Sequence, residues 1–137
     1  MIRLLLADDH RVVLDGLCTR LAQEPDLEVV AKAHDGEQAV ELAVTHAPDV
    51  VLMDVSMPRM NGLEAASLMR ERCPDVKVLI LSMHDNREYV REALERGVAG
   101  YVLKDVSMEE MVRAIHTVQE GGSYISSGAS QALLAET

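Results

Sequence analysis

Three carboxylates, a hydroxyl and an ammonium lie at the ends of short apolar runs in this chain. Asp8 and Asp9 follow IRLLLA (2 to 7), Asp54 follows VVLM (50 to 53), Ser82 follows VKVLIL (76 to 81) and Lys104 follows AGYVL (99 to 103). A carboxylate at the end of a buried run needs a partner. Gathered together, the three acids would repel one another, and one or more would be driven neutral unless a cation sat among them. Hard oxygen ligands select a hard divalent ion, and Mg²⁺ fits because it keeps waters and takes one or two carboxylates directly. A metal beside a carboxylate, with a lysine and a hydroxyl nearby, suits phosphoryl transfer, since the cations neutralise charge developing on the equatorial oxygens. The nucleophile is then a carboxylate and the product an aspartyl phosphate. No Gly-rich loop of the Walker type occurs, so ATP is not the obvious donor.

Taken singly, each residue has an ordinary reading. Asp9 suits a helix N-cap as well as a metal. Ser82 could bond local backbone, and Lys104 could be a solvated side chain. Asp54 as a plain loop-entry acid is harder to accept directly after VVLM. The conjunction carries the weight, because all of these groups must converge if the runs are parallel strands.

The elements that would position them follow from the pattern. Five apolar runs, the four above and LEVVAKA (27 to 33), alternate with segments of helical spacing, clearest in SMEEMVRAIHTVQE, where Met108, Met111, Val112, Ile115 and Val118 share a face. Four helix starts pair a short polar residue with Glu or Gln three positions on: Asp35 with Gln38, Asn61 with Glu64, Asp85 with Glu88, Ser107 with Glu110. Continuous apolar strands alternating with helices predict a doubly wound α/β domain with a parallel sheet covered on both faces. Ligands in such a sheet bind outside the carboxyl ends of the strands, where these residues sit. After Val118, QEGGSYISSGAS reads as a linker, and QALLAET as a short helix or tail.

Composition removes other classes. At 137 residues and 48% hydrophobic, the chain fits one domain with a full core. Its net charge of -10 repels phosphate backbones and acidic membranes, so DNA binding by this chain alone is disfavoured. With three Tyr and no Phe or Trp, stacking on single-stranded nucleic acid has few residues to use. Cys18 and Cys73 lack metal-type spacing and read as reduced core thiols. IRLLLA is too short for a signal peptide or a membrane span, which predicts a soluble cytoplasmic protein.

The stretches LLLADDH, VVLMDVSMPRMNGLEA, VLILS and GYVLKD together resemble the receiver domain of bacterial two-component response regulators, over residues 2 to 120. The resemblance implies a five-stranded parallel sheet in the order 2-1-3-4-5. It implies a receiver domain over 1 to 120 and a linker or tail over 121 to 137. Asp54 matches the phosphoacceptor, and Asp8 and Asp9 match the acidic pair that holds Mg²⁺, with the backbone carbonyl of Ser56 completing the protein ligands. Ser82 matches the hydroxyl that turns to the phosphoryl group, Lys104 the lysine that pairs with it, and Tyr101 the switch aromatic. Ser56 and His84 match positions that tune dephosphorylation. Where many receivers carry Pro after the lysine, this chain has Asp105, so no cis peptide is expected there.

The stretch LSMHDNREYVREALERGVAGYVLKD, followed by GGSYIS, is most similar to receivers that precede a LuxR-type helix-turn-helix. The resemblance implies a phosphorylation-controlled switch rather than an enzyme, with a sensor histidine kinase as donor, a phosphorylation-dependent homodimer, and DNA contact only through a separate output domain. The sequence leaves open whether such a domain follows Thr137 or the chain acts as a lone receiver. A haloacid-dehalogenase-type phosphatase also sets an Asp nucleophile beside Mg²⁺. It needs a second acid two residues later, where this chain has Ser56, which cannot transfer protons near neutral pH.

Overall fold

The computed structural model describes residues 1–83 and 87–134. In chain order the elements are β1 (Ile2–Ala7), α1 (Arg11–Leu21), β2 (Leu27–Ala33), α2 (Gly36–His46), β3 (Val50–Asp54), α3 (Gly62–Arg72), β4 (Lys77–Ser82), α4 (Arg87–Glu95), β5 (Gly100–Leu103), α5 (Met108–Gln119), β6 (Tyr124–Ile125) and α6 (Ser127–Leu134). Each expected strand lies within a residue of its apolar run. The strands form one parallel sheet in the order β2-β1-β3-β4-β5-β6. The expected α/β doubly wound architecture is present, but the expected five-stranded sheet is corrected to six strands. The sixth is the residue pair Tyr124–Ile125, inside the Gly- and Ser-rich stretch read as linker, and α6 follows it.

The sheet separates two apolar layers. On one face, Leu14, Cys18 and Leu21 of α1 and Met111, Ala114, Ile115 and Val118 of α5 pack on alternate residues of the strands. On the other face lie α2, α3, α4 and Ala129 of α6, packed on residues including Leu5, Val51, Met53, Ile80 and Tyr101. Period-two alternation explains this division, since neighbouring residues of one strand feed opposite layers. Burial pushes the Cys18 and Cys73 thiols up, which keeps them protonated and agrees with their reading as core thiols.

Three of the expected caps are seen. Asp35 accepts from the Gln38 amide at 2.8 Å, Asn61 and Glu64 form a reciprocal capping box, and Ser107 accepts from the Glu110 amide at 3.1 Å. Asp85 of the Asp85–Glu88 pair falls outside the described residues. At α1 the N-cap is His10, with no side-chain cap, so Asp9 does not serve the capping role open to it.

All five residues of β3 are buried, Asp54 included. Burying each of Val50, Val51, Leu52 and Met53 contributes about 1.5–3 kcal/mol, which together exceeds the several kcal/mol that desolvating one charge costs. The strand is therefore placed by its apolar residues, and Asp54 is carried to the edge with them. The loop after β3 returns so that the Gly62 amide donates to the Val55 carbonyl at 2.9 Å. A Cβ on Gly62 would run into the Asp54 carbonyl oxygen. Gly62→Ala is accordingly expected to lose about 1–3 kcal/mol of stability, as overpacking against backbone does. Urea unfolding of the two proteins checks this.

Candidate functional site

Five of the expected site residues sit at the carboxyl ends of β1, β3, β4 and β5. Asp8 and Asp9 follow β1, Asp54 is the last residue of β3, Ser82 the last of β4, and Lys104 follows β5. Because the strands are parallel, these ends share one edge of the sheet. Asp8, Asp54 and Ser82 are buried there, with relative exposures of 5%, 5% and 0%. Carboxylate oxygens of Asp8, Asp9 and Asp54 and a ring nitrogen of His10 all lie within 4.8 Å of one another. That spacing and the oxygen-rich donor set fit a hard divalent cation.

Lys104 binds the group together. Its Nζ lies 2.9 Å from Asp8 Oδ2 and 3.3 Å from Asp54 Oδ2. The Lys104 amide donates to the Ser82 carbonyl at 2.9 Å, so the lysine and the hydroxyl are tied through the β4–β5 ladder. Asp54 Oδ1 accepts from the Ser56 amide at 3.3 Å. Ser82 pairs with Leu103, and Tyr101 pairs with Ile80 two residues earlier, which puts Ser82 and Tyr101 on the same face of the sheet. Tyr101 has no exposed surface and lies in the layer that contains Ala129 of α6. Ser56 is exposed in the loop after β3. His84 lies outside the described residues.

Residues 4–116 match the family of the response regulator receiver domain. This chain belongs to that family. The receiver is 46% identical over 124 residues to the transcriptional regulatory protein DegU of Brevibacillus brevis, covering 90% of this chain and 52% of DegU. It is 37% identical over 132 residues to the nitrate/nitrite response regulator NarL of Escherichia coli, covering 96% of this chain and 61% of NarL. The chain thus spans little more than half the length of these curated relatives. Among solved structures, a LuxR-family two-component response regulator from Aurantimonas sp. SI85-9A1 superposes with a TM-score of 0.95 at 32% identity, covering 99% of this chain and 97% of that one. The NarL receiver domain of Mycobacterium tuberculosis gives 0.84 at 37% identity, covering 88% and 97%. The Aurantimonas likeness extends across β6 and α6.

Electrostatics divides the receiver's two buried acids. Burial pushes the Asp54 carboxyl up, the Asp8 charge adds to that, and Lys104 only partly opposes it, so the net direction is upward. Asp8 also pays for burial, but the His10 amide and Lys104 together outweigh the cost and hold it below the usual carboxylate range. The difference agrees with the geometry, since Lys104 is nearer to Asp8. Burial works against the Lys104 charge, yet its two carboxylate partners more than compensate and push its pKa up.

One member of the cluster was not assigned a role from sequence. His10 Nδ1 lies 3.2 Å from Asp8 Oδ1 and 3.1 Å from Asp9 Oδ1, and its amide donates to Asp8 at 2.9 Å. Adjacency to the acidic pair was its only signal.

Folding raises the Asp54 pKa, so the unfolded chain ionises this group more readily and this group's contribution to stability falls as pH rises above about 4. Asp54→Asn is therefore expected to raise the thermal midpoint of the metal-free protein at pH 7, with the difference shrinking on acidification to about pH 4. Adding Mg²⁺ should stabilise the parent more than the variant, because a ligand that prefers the folded state stabilises it. Thermal scans with and without Mg²⁺ across this range check both statements.

Proposed function

We propose that this receiver is a phosphorylation-activated signalling switch that accepts a phosphoryl group from a sensor histidine kinase on Asp54. The observation that carries the reading is Lys104, held between a buried Asp8 and a buried Asp54 at the carboxyl edge of the sheet. A carboxylate oxygen of Asp54 attacks phosphorus, the new P–O bond forms as the P–N bond of the donor phosphohistidine breaks, and the imidazole leaves with the bonding pair. Asp8, Asp9, Asp54 and the Ser56 carbonyl would hold Mg²⁺, which supplies positive charge beside the transferring group when bound. Lys104 offers its ammonium to a phosphoryl oxygen, exchanging one of its carboxylate partners for it. The Ser82 hydroxyl donates to another phosphoryl oxygen, and Tyr101 repacks on the same face of the sheet. Ser56 and His84 tune the lifetime of the product.

The reading makes the chain a phosphoacceptor that assists its own modification, not an enzyme acting on a separate substrate. Its output is transcriptional, by likeness to DegU and NarL, whose names call them a transcriptional regulatory protein and a response regulator. We place the receiver within 1 to 120 and the approach to an output domain within 121 to 137. DNA contact belongs to that separate domain, in keeping with the net charge of -10, and phosphorylation promotes a homodimer. A cytoplasmic setting follows from a kinase donor, and no helix among the described residues is long and apolar enough to cross a membrane.

With acetyl phosphate and Mg²⁺, the parent should gain one phosphoryl group by intact mass, and Asp54→Asn should gain none. Equal labelling of the two would overturn the assignment. Lys104→Ala should slow the labelling about a hundredfold, the usual cost of removing one preorganised group that stabilises the transition state. Following phosphorylation over time by mass spectrometry measures that ratio.

A further inference from the structure

At the end of the sheet away from Asp54, a cavity of about 250 Å³ opens where β4 and β5 begin. Its floor includes Ala66, Val78 and Val98, all buried, and its rim carries Arg70 from the last turn of α3 and Lys77, the first residue of β4. The walls are held in place. Arg96 Nη1 donates to Leu63 O at 3.2 Å and to Ser67 Oγ at 3.1 Å, which pins the end of α4 to α3. The Ala99 amide donates to Val78 O at 2.8 Å, which joins the two strand entries. Gly97 completes the wall with a φ of +85°, and a Cβ there would lie 2.6 Å from Arg70 Nη1. The missing side chain leaves the guanidinium room to lie along the rim.

The chain has 23 Asp and Glu against 13 Lys and Arg, so a cation has many carboxylates to choose from. Lys32, Arg59, Arg91, Arg96 and Lys104 each pair with one. Among the described residues, neither Arg70 nor Lys77 has a side-chain hydrogen bond or an ion pair, and no acid lines the cavity. The groove along α4 is the contrast, since its Arg91 and Arg96 face Glu95 and Glu92 at 3.2 and 2.9 Å. In the cavity the counter-charge is left to come from outside. Arg70 also suits the negative end of α3, but the helix dipole does not account for Lys77 beside it. The amides of Lys77, Gly97, Val98 and Ala99 already donate to the carbonyls of Asp49, Leu94, Ala93 and Val78, so recognition falls to the two side chains and the apolar floor.

We propose that this cavity is a binding site for a small organic dianion, whose two charges are met by Arg70 and Lys77 and whose short carbon body covers the floor of Ala66, Val78 and Val98. A guanidinium presents a planar fork that matches a carboxylate or phosphate, and an ammonium answers the second charge as a compact point. At about 250 Å³ the space is smaller than the roughly 300–1,000 Å³ of drug-sized sites, which restricts the ligand to a few carbons. The cavity lies at the amino-terminal ends of β4 and β5, whereas Ser82 and Lys104 lie at their carboxyl ends. It stands whether or not Asp54 is the phosphoacceptor.

Calorimetry on the full chain, without Mg²⁺ and at about 0.15 M salt so that diffuse surface attraction is screened, tests this with succinate as the probe. Succinate should bind saturably, with amide NMR shifts centred on Val78, Val98 and Ala99. Arg70→Gln and Lys77→Gln should each weaken it about fivefold, as losing one partly exposed ion pair does, while Arg20→Gln, on α1 across the sheet, should leave it unchanged. Succinamate, with the same body and one charge fewer, should bind about fivefold more weakly than succinate. Sulfate, with two charges and no methylenes to bury, should bind about tenfold more weakly. Absence of saturable succinate binding, or shifts centred on the Lys104 edge instead, overturns the proposal. Equal affinity for the three probes, or an equal loss in Arg20→Gln, overturns it too, because either marks general surface charge in place of a shaped site.

Discussion

Lys104 reaches across the sheet from the end of β5 to carboxylates at the ends of β1 and β3, and the state of the whole edge depends on that reach. Two unit charges about 4 Å apart interact with about 4 kcal/mol at the effective dielectric of a protein surface, so three gathered acids cannot remain ionised without a cation. One ammonium answers only one of them. Asp8, Asp9 and Asp54 against Lys104 leave a formal excess of two negative charges, the charge of one divalent ion. Burial is the main cause of the upward push on Asp54, and the neighbouring Asp8 charge adds to it, with Lys104 only partly opposing both.

The fold tolerates this concentration of charge because the acids are not asked to hold it together. Leu4, Leu5 and Leu6 in β1 and Val50 to Met53 in β3 have at most 1% of their surface exposed, and they fix the strands before the acids are reached. Parallel pairing then does the rest, since every strand in the sheet delivers its last residue to the same side. Gly62 lets α3 begin directly against the Asp54 carbonyl, which keeps the loop after β3 folded over the same edge. The receiver's reactive geometry is therefore a by-product of apolar registry, with side-chain chemistry added at the strand ends.

Much of this was legible in the sequence. Continuous apolar runs marked β1, β3, β4 and β5 because both faces of these strands are covered, and the Asp35, Asn61 and Ser107 caps marked helix starts because their side chains bond the third amide on. The residues at the strand ends were therefore placed correctly at one edge. The end of α6 was read from QALLAET as a short helix or tail, while β6 and the start of α6 were hidden for a physical reason. Two residues are too few to show alternation, and α6 docks through Gly128 and Ala129, which leave no apolar stripe to read. His10 carried only the signal of adjacency to the acidic pair, because the approach of its ring to both carboxylates depends on the turn that makes it the α1 cap.

A parallel sheet of this size has two outer borders, each a row of backbone groups able to recruit a foreign strand. At β2 the border carries exposed Glu28 and Lys32, charges that would have to be stripped of water before another chain could add there. At β5 the border is taken by Tyr124 and Ile125, a strand too short to serve as a template for further growth. A receiver that let go of this short strand would uncover a row of β5 carbonyls and amides, and would become adhesive along that border for as long as it stayed open. The same short segment therefore guards the molecule against aggregation.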